Sequence, residues 1–159
     1  MKLINPDYKL TAKKEKYIQE CANYLLQKIK SINGILNETQ SSANSDTKSS
    51  AGDKHETSRA MAHLENERLG GQMVVLQSQL EKIYSINPSA ASPKVAFGSI
   101  VTCKSFTFFV STGIGKIKQN GLDFFAIAKE SPVGYNLINK TVGDTIKVGN
   151  ITETIQRIG

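Results

Sequence analysis

The sequence predicts a two-domain protein: an N-terminal antiparallel α-helical coiled-coil hairpin, then a small α+β domain with a mainly antiparallel sheet. Two observations carry this. Apolar residues recur at spacings of three and four along one stretch, and after a polar break a second stretch restores a helical period. After residues 87–93 the period changes from 3.6 to 2. The composition agrees, since 39% apolar residues with 7% aromatic and no Trp allow only a modest core.

Residues 1–20 hold Lys2, Lys9, Lys13, Lys14 and Lys16 without a continuous apolar run, and no window approaches the ~18 apolar residues of a membrane span. A soluble, cytoplasmic protein without a membrane partner is expected. From Ile18 the stripe runs through Cys21, Leu25, Ile29, Ile32 and Leu36, so the first helix spans about Thr11 to the early forties. Asn33-Gly34 weakens it, but Ile35 and Leu36 resume the pattern. From Asn37 to Arg59 no large apolar residue appears, so this segment is an exposed tip, centred on about residues 44–58. Met61, Leu64, Leu69, Met73, Leu76, Leu80 and Ile83 restore the helical period, which Asn87-Pro88 ends. Residues 1–86 thus form the hairpin and 87–93 a linker; an arm of about 27 residues reaches roughly 40 Å.

The second domain, residues 94–159, reads as strands at 94–103, 105–112, 115–119, 123–129, 144–148 and 151–158, with turns at Gln119-Asn120-Gly121 and Gly149-Asn150. Ser131 can cap a short helix with Pro132 at its first position, ending near Asn139. Cys21 and Cys103 fall in apolar patterns and read as small buried hydrophobes. The net charge of +6 leans toward acidic partners but is too dilute to establish direct nucleic-acid binding.

Three stretches stand out: Lys94-Val95-Ala96-Phe97-Gly98-Ser99-Ile100-Val101-Thr102, then Ser131-Pro132-Val133-Gly134-Tyr135-Asn136-Leu137-Ile138-Asn139-Lys140 with Val142-Gly143-Asp144, and Gly52-Asp53-Lys54-His55-Glu56 in the exposed tip. They resemble, in turn, the entry strand, the Ser-Pro helix with its Gly-Asp turn (the most specific match) and the Gly-Asp-x-x-Glu tip of the Gre transcript cleavage factors of bacterial RNA polymerase. The order of parts agrees with that family over nearly the whole chain. The resemblance implies an FKBP-like fold for residues 94–159, which would dock on the polymerase with Ser131, Pro132 and Gly134 as candidate contacts. It implies that the hairpin enters the secondary channel, where Asp53 and Glu56 help hold Mg²⁺ shared with the polymerase while its own site cuts backtracked nascent RNA at the 3′ end. The chain would then be a monomeric accessory factor and no enzyme by itself, with no metal bound stably alone. The tip departs from the family pattern: Thr57 stands where Asn is usual, Ala60 where Tyr is, and Arg59 where an acid is common. An alternative is therefore a Gre-like channel regulator that does not stimulate cleavage.

The chemistry suits the tip. Two-metal phosphodiester hydrolysis needs carboxylates, and Mg²⁺ is often held by only one or two of them plus phosphates. At i and i+3 two acids share one helix side, though Asp53 and Glu56 equally fit a helix cap and capping box. A self-contained metal site of Asp53, His55 and Glu56 with His63 is a weaker reading. Lys13, Lys14 and Lys28 could track RNA phosphates, or simply form a solvated face. Phe106, Phe108 and Phe109 read as sheet core, since neighbours on a strand face opposite sides. A prolyl isomerase or a plain coiled-coil oligomerisation module fits the residues less well.

Overall fold

A computed structural model describes residues 6–45 and 52–159, with side chains over 9–42 and from Lys54 onward. Two long helices, α1 (Pro6–Ser45) and α2 (Gly52–Tyr84), pack together, and a mixed sheet follows. The centre of the expected tip, residues 46–51, lies outside the described residues. Asn33-Gly34 and Gly70-Gly71 lie within continuous helix, since a helical glycine costs only about 1 kcal/mol against alanine and the apolar stripe continues beyond each.

The chain divides into two compact units, Tyr24–Ser78 and the remainder: α1 as far as Asn23 together with Gln79–Gly159. In the Tyr24–Ser78 unit Leu25, Ile32 and Leu69 are buried, while Ile29, Leu36, Met73 and Leu76 are half-buried. These are the packed stripes of two amphipathic helices. The expected stripe on α2 fails toward its start, where Met61 is 67% and Leu64 64% exposed. Leu64 and Leu69 are five residues apart, about 140° around a helix, so only one of them can face α1. Leu69 does, and its phase continues backward through Asn66, His63, Arg59 and His55, which line a polar groove with Thr39 and Ser42.

The second unit holds a five-stranded sheet in the order β3-β4-β2-β1-β7 and a separate hairpin of β5 and β6. The elements are β1 (Ile100–Thr102), β2 (Thr107–Ser111), β3 (Gly115–Gln119), β4 (Leu122–Ala128), α3 (Pro132–Leu137), β5 (Thr145–Val148), β6 (Ile151–Thr154) and β7 (Arg157–Ile158). The expected turn at Asn120-Gly121 is present, both residues at positive φ, as a tight hairpin between β3 and β4 requires. The sheet is mainly antiparallel, but β2 and β4 pair in parallel, because β3 takes the outer edge and returns β4 beside β2. The expected strand over 94–103 is shorter: only 100–102 is strand, since Gly98 at φ +88° breaks the extended run. A Cβ on Gly98 would sit 2.9 Å from Ile86 Cγ2.

Successive residues of β2 face opposite ways, and each face has its own core. Phe108 joins Val101, Val110, Leu137, Ile146 and Ile155, with Phe106 and Phe125 packed against them. Phe109 and Phe124 lie on the other side under Tyr17 of α1, with ring centroids 5.8 and 4.6 Å from the tyrosine. Glu20 of α1 is buried and accepts from Gln119 Nε2 at 2.6 Å and Asn120 Nδ2 at 2.8 Å. Lys14 Nζ donates to Ala90 O at 2.7 Å. The start of α1 and residues 87–93 are thereby built into the same unit as the sheet.

Candidate functional site

The tip acids fall at the start of α2. The helix begins at Gly52, which places Asp53 in its first turn, inside the helix and not before it as a cap; its side chain lies outside the described residues. Glu56 is exposed, with no ion pair among the described residues. Three residues apart on a helix, the two positions lie on one side, within a turn. Two carboxylates so placed fit a hard cation that completes its shell with water and phosphate oxygens.

His55 is half-buried and lines the groove with His63, whose Nε2 lies 3.3 Å from Glu67 Oε1. Glu56 does not line that groove. Among the described residues no group of three or more His, Cys, Asp or Glu is placed to hold a metal ion. Thr57, Arg59 and Ala60 are all exposed.

The Ser131–Asp144 stretch is assembled by backbone demands. Ser131 Oγ donates to Ala128 O at 2.7 Å and accepts from Gly134 N–H at 3.0 Å, and Pro132 occupies the start of α3, where its missing N–H is harmless. Gly134 is buried, and a Cβ there would lie 2.0 Å from Ala128 O, so only glycine lets α3 approach the end of β4. Asn139 at φ +65° ends the helical run and Gly143 at φ +93° makes the next turn. Asp144 Oδ2 then accepts from Thr141 N–H at 2.7 Å and Oγ1 at 3.1 Å, which holds its carboxyl below the usual range. Of the three candidate docking residues, Pro132 is exposed, Ser131 is half-buried and Gly134 is buried; Tyr135 beside them is 80% exposed.

The three lysines differ. Lys28 is exposed, its ammonium 5.3 Å from the Tyr24 ring centre. Lys14 is buried on the Ala90 carbonyl, and burial pushes its pKa down. Lys13 is half-buried, its pKa lowered by burial and by the Arg157 guanidinium. Sequence reasoning missed Arg157, because only the pairing of β7 with β1 brings residue 157 toward α1. No helix among the described residues is long and apolar enough to cross a membrane. No protein-family model matches the chain, nor does a curated protein or a solved structure.

Proposed function

We propose that the chain is a Gre-type accessory factor of RNA polymerase, with Asp53 and Glu56 at the end of a helical arm as its working residues. The carrying observation is an exposed Glu56 one helical turn from Asp53, at the start of a helix that packs against α1. An arm of this kind is long and narrow: Gly52–Ser78 of α2 extends about 40 Å at the helical rise. It suits insertion into the secondary channel, where the two carboxylates would share Mg²⁺ with the polymerase active site. Bound there, Mg²⁺ would activate water and stabilise the leaving oxygen of the backtracked RNA. The role of Asp53 and Glu56 would be to present two carboxylates one helical turn apart to the shared cation. Residues 94–159, read as FKBP-like, would dock on the polymerase through the exposed side of α3, chiefly Pro132 and Tyr135. The protein acts in the cytoplasm as a monomer and is no enzyme alone.

The decisive experiment incubates the protein with a backtracked elongation complex and Mg²⁺ and resolves the RNA on a gel. Asp53→Asn with Glu56→Gln removes charge but keeps shape, so cleavage stimulation falls by orders of magnitude while the melting temperature moves by a few degrees at most. Extra Mg²⁺ partly restores either single variant. Equal cleavage by the double variant would refute the role of the two acids. A second reading, a channel regulator without cleavage, is favoured by Thr57, Arg59 and Ala60 exposed beside Glu56. It requires a wild type that alters elongation yet leaves backtracked RNA uncut.

A further inference from the structure

Far along the chain from the tip acids, and independent of the polymerase reading, a cavity of about 460 Å³ lies in the unit that holds the sheet. Lys9, Leu10 and Lys13 of α1 line it on one side; Ile100, Thr102, Arg157 and Gly159 line it on the other. Lys9 and Lys13 are four residues apart and so share one face of the helix. Thr102 and Arg157 are register partners across β1 and β7, which puts their side chains on one face of the sheet. The floor is apolar: Ile100 is buried, and Leu10 Cδ1 lies 2.9 Å from where a Cβ on Gly159 would stand.

Among the described residues three cationic side chains and one hydroxyl line the cavity and no carboxylate side chain does. Among the described residues neither lysine nor Arg157 has an ion pair, although the salt bridges elsewhere join oppositely charged neighbours. Lys13 lies close enough to Arg157 for the guanidinium to disfavour its charged form, on top of the cost of burial. Lys13 is half-buried while Lys9 and Arg157 are exposed, and like charges brought together at one concavity favour an anion among them.

We propose that this cavity binds a ligand with adjacent phosphate groups, of the nucleoside polyphosphate class, held by Lys9, Lys13 and Arg157. The match is one of number and shape. Three cations converging on one concavity suit the three or four charges of a di- or triphosphate, and the volume falls in the range of small-ligand sites. Leu10 and Ile100 offer an apolar wall to the nucleoside. A nucleic-acid strand carries the same phosphate chemistry, but it is normally met by cations spread along a track with stacking aromatics, and no aromatic among the described residues lines this cavity. Because the ligand would touch both α1 and the β1–β7 edge, its binding would tighten the start of α1 against the sheet.

The test is titration calorimetry on the full chain with pyrophosphate, ADP, ATP and an eight-nucleotide single-stranded RNA lacking terminal phosphates. Wild type should bind ATP and pyrophosphate at one site per chain, competitively. Each charge-assisted contact accounts for about a tenfold change in affinity, so Lys13→Gln with Arg157→Gln should weaken ATP by roughly 100-fold. Lys147→Gln, on β5 and outside the cavity, should change it less than twofold. Without ligand the double variant should melt at or above wild type, since a repulsion is relieved, and ATP should raise the melting temperature of wild type only. Absence of binding at millimolar ATP in low salt would overturn the proposal, as would equal loss in Lys147→Gln. One-to-one RNA binding that displaces ATP and is stronger than it would overturn the free-nucleotide assignment in favour of a strand.

Discussion

One substitution, glycine to alanine, should have opposite signs at two positions. At Gly134 the added methyl would lie 2.0 Å from Ala128 O, 2.9 Å from Lys129 Cα and 3.0 Å from Ala128 C, all backbone atoms. Ordinary contact begins near 3.4 Å, so α3 and the end of β4 must separate by more than an ångström. That movement breaks the Ser131 cap on Gly134 N–H, worth ~1 kcal/mol, and forces a shift of the kind that costs about 1–3 kcal/mol in packed cores. Gly134→Ala should therefore destabilise its unit by about 2–4 kcal/mol. At Gly70 nothing lies within 4 Å of the added methyl, and the residue is in mid-helix, so alanine should stabilise by about 1 kcal/mol. Urea unfolding reads both: tyrosine fluorescence for the sheet unit, which holds Tyr17 and Tyr135, and ellipticity at 222 nm for the helices. A Gly134→Ala variant within 1 kcal/mol of wild type, or a destabilised Gly70→Ala, would refute the reasoning.

Two further outcomes concern titration. Asp144 and Glu153 both have carboxyl pKa values held below the ordinary range, Asp144 by Thr141 and Glu153 by hydrogen bonds from Ser105. Their stabilising effect is complete above the unfolded values and is lost as pH falls through the lower folded ones. The urea midpoint should therefore drop below about pH 4, and Asp144→Asn should drop less steeply; an equal slope in that variant would count against the Thr141 contacts. Burial pushes the Cys21 thiol up to about 12 and the Cys103 thiol up to about 11, with Glu20 and Glu153 adding to the rise. Neither should react with a thiol reagent at pH 8 until urea unfolds the chain, and rapid labelling of the native protein would contradict this.

Much of the fold was legible because local rules and packing agree. The stripe from Cys21 to Leu36 is the packed face of α1, the turn at Asn120-Gly121 follows from its residues, and Ser131-Pro132 begins α3 as capping chemistry requires. What escaped reading depends on long-range partners. Met61 and Leu64 counted as core because they are apolar, although their five-residue spacing from Leu69 signals a change of phase. The parallel pairing of β2 and β4 has no signature in either strand alone. Tyr17 and Glu20 read as ordinary helix residues until Phe109, Phe124 and the β3–β4 turn come to meet them. At the candidate site, Asp53 and Glu56 stood out by motif, whereas Arg157 could join Lys9 and Lys13 only through strand pairing.

The Glu20 contact also sets an order of events during synthesis. Its partner Gln119 lies 99 residues later. At a translation rate of ~5–20 residues per second, several seconds pass in which Tyr17 and Cys21 have no sheet to cover them. The stretch between the two sections of that unit can zip up meanwhile through near-neighbour helix contacts. Once α2 lies on α1, the effective loop separating Glu20 from the sheet shrinks to a few tens of residues, and the entropy of closing it falls. A lesion that loosens the Tyr24–Ser78 helices would then delay docking of the sheet, so folding speed and final stability would respond to different parts of this chain.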